Sequence, residues 1–134
     1  MEKMKEIVKE WLDKADKDLM VCEELMDNEE FSDAAAFHAQ QSAEKYLKSL
    51  WEFFGVEIVK THDLYFLREK LMEKTKEASV FNEADLHFLT QFAIDYRYPG
   101  ENAIMGEAKD AYSAALKIKD ISLGIFRNMG VENI

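Results

Sequence analysis

The fold is decided by the stretch Ala36-Phe37-His38-Ala39-Gln40-Gln41-Ser42-Ala43-Glu44-Lys45-Tyr46-Leu47-Lys48, whose side chains separate into two faces at the period of an α-helix. One face, continued toward the C-terminus, is apolar and consists of Ala36, Ala39, Ala43, Leu47, Leu50 and Phe54. The opposite face carries hydrogen-bonding groups at helical spacing, namely His38, Gln41, Ser42, Lys45 and Ser49. The stretch predicts a helix that gives one face to a core and offers the other to a ligand or partner.

Composition favours a single all-helical domain over residues 1–134. The chain has 134 residues with 48% hydrophobic and 12% aromatic content, which is enough for one core. A single proline and five glycines leave long uninterrupted segments. The first residues lead directly into a charged helix, and no apolar run approaches the roughly 20 residues of a membrane span. We therefore expect a soluble cytoplasmic protein with no signal peptide and no membrane association.

Hydrophobic periodicity predicts an up-and-down bundle of four main helices plus one short extra helix. The predicted helices cover Glu2–Met26, Ser32–Phe54, a short segment from Thr61 or Asp63, Asn82 to about Tyr96, and about Asn102–Asn128. Ser32 and Asn82 are the expected N-caps, and Gly55 stands where a left-handed C-terminal residue belongs. Pro99 and Gly100 are expected to end the fourth helix.

Charge and motif content exclude several functions. The formal net charge of −10 argues against a surface that binds nucleic acid broadly, so any phosphate contact must be local. Cys22 is the only cysteine, and no histidine follows a glutamate by three residues, so neither a disulfide nor a di-iron site is predicted. The glycines are scattered singly rather than forming a phosphate-binding loop. No metal or other cofactor is predicted.

Three segments together resemble the HEPN domain (higher eukaryotes and prokaryotes nucleotide-binding). They are Phe37 to Lys48, Thr61-His62-Asp63-Leu64 at the start of a short helix, and Tyr96-Arg97-Tyr98-Pro99 before an alanine-rich last helix. They occur in the family's order and extend the resemblance from about residue 5 to 126. The resemblance implies a helical bundle, a homodimer, a small nucleotidyltransferase partner and a role with nucleotides or RNA.

The chain departs from the ribonuclease members of the wider family. Those members carry an arginine followed four to six residues later by a histidine. The three arginines here, Arg68, Arg97 and Arg127, have no histidine at that spacing. The departure favours a binding module over an enzyme, and no catalytic residue is predicted. A divergent, toxin-like ribonuclease that cleaves RNA without a metal remains the alternative.

We expect the ligand-binding residues to be His38, Gln41, Lys45, His62 and Arg97. Each of them also has a structural interpretation. His38 could be a hydrogen-bonded histidine inside the bundle, and Gln41 with Lys45 could form an ordinary solvated face. His62 with Asp63 is typical of a helix start, and Arg97 could pair with an acidic helix.

Overall fold

The computed structural model describes residues 5–93, 103–132 and 134, and over these residues the chain is helical and contains no strand. Its five α-helices are α1 (Glu6–Leu25), α2 (Ser32–Phe54), α3 (Leu64–Met72), α4 (Glu83–Thr90) and α5 (Met105–Asn128). Short 3₁₀ turns lie at Glu29–Phe31, Lys76–Val80 and Gln91–Ala93. The predicted all-α bundle of long helices with shorter ones is confirmed.

Helix α2 is the centre of the bundle, since it packs against each of the other four helices. Of its 23 residues, 14 are buried, so its burial extends well beyond one apolar face. Small side chains let the neighbours approach closely, because Ala36, Ala39 and Ala43 of α2 and Ala108, Ala111 and Ala115 of α5 are all fully buried. The core therefore forms around a helix that is covered on most of its circumference.

Polar side chains of α2 tie it to its neighbours at defined points. Trp51 Nε1 donates to the carbonyl oxygen of Leu67 in α3 at 2.8 Å. Tyr46, which is fully buried, donates its hydroxyl proton to the Asp16 carboxylate of α1, and burial raises the pKa of this tyrosine. Each bond satisfies a polar atom inside the core.

Several helix ends were predicted correctly. Gly55 ends α2 with φ of 73°, a left-handed conformation in which a glycine has no Cβ to clash. Asp63 caps α3 by accepting from the backbone N–H groups of Tyr65 and Phe66. Asn82 caps α4 by accepting from the N–H of Asp85 at 3.0 Å.

The prediction of Ser32 as an N-cap is wrong. The chain turns into a 3₁₀ helix one turn earlier, where the Asn28 side chain accepts from the N–H of Glu30 at 3.1 Å. Ser32 is instead the first residue of α2, and its buried Oγ has no hydrogen-bond partner among the described residues. The asparagine supplies the local cap that the serine was expected to supply.

Helix α4 ends at Thr90 and tightens into the 3₁₀ turn Gln91–Ala93, before the predicted end near Tyr96. Thr90 Oγ1 donates to the carbonyl oxygen of Leu86 and accepts from the N–H of Leu64, which joins α4 to the start of α3. The predicted limits at Glu2, Tyr96 and Asn102, and the Pro99-Gly100 stop, lie outside the described residues.

Cys22 is a buried free cysteine in the stripe of α1 that faces the core. Burial, with a smaller contribution from the Glu23 carboxylate, raises the pKa of its thiol to about 12. The thiol therefore stays protonated near neutral pH, which is consistent with a packing role. Within the described residues, no helix is both long enough and apolar enough to cross a membrane.

Close packing around Ala43 predicts that Ala43→Leu is destabilising. The added carbons have no space at a fully buried site, so the free energy of unfolding should fall by about 1–3 kcal/mol. Urea unfolding followed by circular dichroism measures the change. Ala84→Leu, on the exposed side of α4, is the matched control and should change stability by less than about 0.5 kcal/mol. Equal effects of the two substitutions would contradict the close packing.

Candidate ligand-binding site

Asp18 of α1 holds two of the predicted site residues together. Its Oδ1 lies 2.9 Å from Nδ1 of His38, and its Oδ2 accepts from Nζ of Lys45 at 2.5 Å. The Asp18 side chain is only 12% exposed, whereas His38 and Lys45 are 30% and 23% exposed. One buried carboxylate therefore fixes an imidazole and an ammonium group that both reach the surface.

Glu44 of α2 forms a second carboxylate centre. Its Oε1 lies 2.8 Å from Nδ1 of His62 and accepts from Nε2 of Gln40 at 3.1 Å. Its Oε2 accepts from Nζ of Lys48 at 2.8 Å. The side chains of Glu44 and Lys48 are 6% and 9% exposed, whereas His62 is 43% exposed. The glutamate thereby attaches the segment before α3 to the centre of the bundle.

Gln41 belongs to the network around Glu44, because its Nε2 donates to Oε1 of Gln40 at 2.6 Å. Along α2 it lies one helical turn from both His38 and Lys45. Gln40 Nε2 also donates to the carbonyl oxygen of His62 at 3.4 Å, so the two amides connect the loop to the helix. The surface along this side of α2 therefore carries both carboxylate centres and the amide pair between them.

Lys48 also lies against α1, with Nζ 5.8 Å from the centre of the Trp11 ring. This distance is within the range of a cation–π contact. The Trp11 indole nitrogen is buried and has no hydrogen-bond partner in the part of the chain that the structure describes. The tryptophan and the lysine close one end of the polar surface between α1 and α2.

The geometry defines what this surface can do chemically. In each centre a carboxylate engages Nδ1 of a histidine, which leaves Nε2 as the ring nitrogen for another partner. Lys45 keeps donor capacity beyond its bond to Asp18, since an ammonium group has three hydrogens. The surface therefore offers donors to an anion, although carboxylates already neutralise the cations. Among residues 5–93, 103–132 and 134, no group of three or more His, Cys, Asp or Glu side chains could hold a metal ion.

The structure describes four of the five predicted site residues and places them in two clusters. His38 and Lys45 share Asp18, while Gln41 and His62 belong to the network around Glu44. Arg97 lies outside the described residues. The structure thus brings four of the five to one side of α2 in two adjacent clusters.

Two serines expected on the ligand-facing side are buried. Ser42 Oγ donates to the carbonyl oxygen of Ala15 at 2.8 Å, and Ser49 Oγ donates to that of Tyr46 at 2.6 Å. Both side chains are fully buried, and the partner of Ser42 shows that α1 packs over this position of α2. Their interpretation as part of an open ladder is wrong, and their hydroxyls instead satisfy backbone carbonyls.

Sequence reasoning missed three polar residues that build the site, namely Asp18, Gln40 and Glu44. Asp18 had a usable signal, since it lies three residues after Ala15 and four before Cys22, in line with the buried stripe of α1. A carboxylate in an apolar stripe requires a partner. Glu44 and Lys48 had the i, i+4 spacing of an ion pair, but this spacing is typical of exposed helices as well.

The fold and the site define this chain as a helical-bundle protein with a carboxylate-centred polar surface along its central helix. A family model described as the HEPN domain matches residues 8–125. The chain belongs to the HEPN domain family, and the resemblance drawn from its sequence motifs is confirmed.

Two solved structures have a similar fold. The protein TT1696 from Thermus thermophilus has a TM-score of 0.69 and 22% identity, and the match covers 87% of this chain and 96% of that one. ST0689, an archaeal HEPN homologue, has a TM-score of 0.62 and 22% identity, with 92% and 98% coverage. At this identity the likeness shows the fold alone. No curated protein matches the sequence significantly.

The shared carboxylate predicts that Asp18→Asn destabilises the fold. The substitution preserves size but leaves the Lys45 ammonium without its counter-charge, and it replaces one acceptor oxygen by a donor. The free energy of unfolding should fall by about 1–2 kcal/mol, less than for a fully buried pair because both partners retain solvent contact. Urea unfolding measures it. Asp13→Asn, at an exposed position of the same helix, is the control, and an equal effect there would show that net charge alone is responsible.

Proposed function

We propose that the protein is a nucleotide- or RNA-associated binding module whose phosphate contact is the surface formed by His38, Gln41 and Lys45. The observation that carries the proposal is the sharing of Asp18 by His38 and Lys45, whose side chains remain 30% and 23% exposed. The carboxylate orients both donors before a ligand arrives, so little side-chain entropy remains to be lost on binding.

The same arrangement supports weak binding of one phosphate rather than tight binding of a long backbone. A phosphate must compete with Asp18 for the Lys45 ammonium group, and the protein as a whole carries a net charge of −10. His62, held by Glu44, extends the surface toward the loop before α3. Arg97 is proposed as a further contact, because a guanidinium group binds phosphate with two parallel hydrogen bonds.

A divergent metal-independent ribonuclease is the second candidate. It is favoured by one observation, namely that His38 and His62 each have Nδ1 held by a carboxylate, the arrangement that orients a histidine for general acid–base catalysis. Binding is the better-supported role, because cleavage also requires two such groups placed on one ribose phosphate. Incubation of the pure protein with single-stranded RNA in EDTA separates the candidates, since only a ribonuclease yields cleavage that His38→Ala or His62→Ala abolishes.

We also propose that the protein works as a homodimer with a small nucleotidyltransferase as partner. Large apolar side chains stay exposed on α1 and the turn after it, including Met20 at 63% and Phe31 at 43%. Exposed apolar groups of this kind support a protein interface. A nucleotidyltransferase partner is the expectation that the family resemblance raises, and co-purification of the two co-expressed proteins tests it.

Nucleotide binding is tested by titrating AMP and ATP into isotopically labelled protein while recording amide NMR shifts. Shifts should cluster on residues 38–45 and around Asp18, with affinity in the millimolar range. Lys45→Ala combined with Arg97→Ala should weaken binding about tenfold through the loss of two charged donors. The control is Lys74→Ala with Arg127→Ala, which removes the same charges at exposed positions elsewhere. Equal weakening by the two pairs, or no clustered shifts, would eliminate this phosphate site.

The homodimer is tested by light scattering at micromolar concentration, where we expect twice the 15.6 kDa monomer mass. Phe31→Asp should shift the equilibrium toward the monomer, because it places a charge on an exposed apolar surface. Val80→Asp, at an apolar side chain exposed by 64% after α3, is the matched control. A monomer mass for the unmodified protein would refute the dimer.

A further inference from the structure

Helices α4 and α5 are separated by a surface groove that no part of the α1–α2 site uses. One cavity of about 350 Å³ is lined by Ala84, Asp85, Phe88, Asp110, Ser113, Ala114 and Lys117. A second, of about 310 Å³, is lined by Val80, Asn82, Asp85, Lys117, Ile118, Asp120 and Ile121. They share Asp85 and Lys117, so together they form one groove along α5.

The groove has the length and the apolar floor that a helix-binding site requires. From Asp110 to Ile121 it follows α5 for roughly 16 Å, about three helical turns. Its floor is apolar, with Phe88 and Ala114 in one half and Ile118 and Ile121 in the other. An amphipathic helix binds such a groove by a stripe of apolar side chains at spacings of three and four residues.

The rim of the groove selects the charge of its occupant. Three carboxylates, Asp85, Asp110 and Asp120, surround it and outnumber the one lysine. That lysine, Lys117, crosses the groove toward Asp85 with 4.0 Å between Nζ and Oδ2, and its side chain is 69% exposed. The long, exposed ion pair is weak, so Lys117 can move aside at little cost.

The acidic rim also disfavours three other occupants, namely nucleic acid, anionic lipid and a second copy of this chain. Nucleic acid and anionic lipid would be repelled by the three carboxylates. A second copy of this chain would bring a net charge of −10 to this acidic rim, whereas the homodimer proposed above uses the exposed apolar side chains of α1 and the turn after it. A basic helix of another protein meets both requirements, because it supplies apolar anchors and opposite charge.

We propose that the α4–α5 groove docks an amphipathic helix of a partner protein, with lysine or arginine side chains beside Asp110 and Asp120. The helix places its apolar stripe against Phe88 and Ile121 and displaces Lys117 from Asp85. This docking is independent of the phosphate contact on α2, since the two surfaces share no residue.

The probe is a capped 15-residue peptide of leucine, alanine and lysine, with leucines at spacings of three and four. A second peptide has glutamate at every lysine position. In NMR titrations the lysine peptide should shift the amides of residues 84–88 and 110–121, and the glutamate peptide should not. Asp110→Asn with Asp120→Asn should weaken binding about fivefold, whereas Lys117→Ala should tighten it by removing a like charge.

The control pair is Glu10→Gln with Asp13→Asn, which removes two exposed carboxylates from α1 and should leave peptide affinity unchanged. Equal weakening by the two pairs, shifts spread over the whole acidic surface, or equal binding of both peptides would overturn the proposal. A change in oligomeric mass caused by Asp110→Asn with Asp120→Asn would also overturn it, because the groove would then contact a second copy. AMP titration of the same variant should be unchanged, which keeps this test separate from that of the phosphate site.

Discussion

The structure depends on the burial of a helix that is not apolar all round. Helix α2 has 14 buried residues among 23, and Gln40, Ser42, Glu44, Lys48 and Ser49 are among them. Each of these polar groups loses water when the other helices pack, so each must find a partner within the fold. The hydrogen bonds to Ala15, Tyr46 and His62 are the result. Packing thus sets the positions of the functional side chains.

The need of buried polar groups for partners explains why the cations of the candidate site are paired with carboxylates. The two lysines of this surface, Lys45 and Lys48, are paired with Asp18 and Glu44 because burying an unpaired ammonium group would cost several kcal/mol of desolvation. The carboxylates stabilise the bundle and at the same time reduce the positive potential of its surface. Recognition here is expected to rely on the geometry of a few donors more than on long-range attraction, which suits an acidic protein.

Sequence patterns predicted the helices well, because the apolar residues recur at the helical period and the caps at Asp63 and Asn82 use local hydrogen bonds. They predicted the site only in part. His38 and Lys45 were found from their place on α2, but their shared partner, Asp18, lies 20 and 27 residues away in the chain. Ser42 was misassigned for the same reason, since its burial depends on how α1 crosses α2. Contacts between helices that are distant in the chain cannot be predicted from the spacing of apolar residues within one helix.

The two tryptophans give this protein natural optical reporters in different surroundings. Trp51 is 1% exposed and its indole N–H is bound to Leu67, so its emission reports the separation of α2 from α3. Trp11 lies against the Lys48 ammonium group, and a nearby cation shifts and quenches indole emission. Replacing one tryptophan by phenylalanine would leave a probe either of the core or of the polar surface. Folding and occupancy could then be followed separately, with no attached dye.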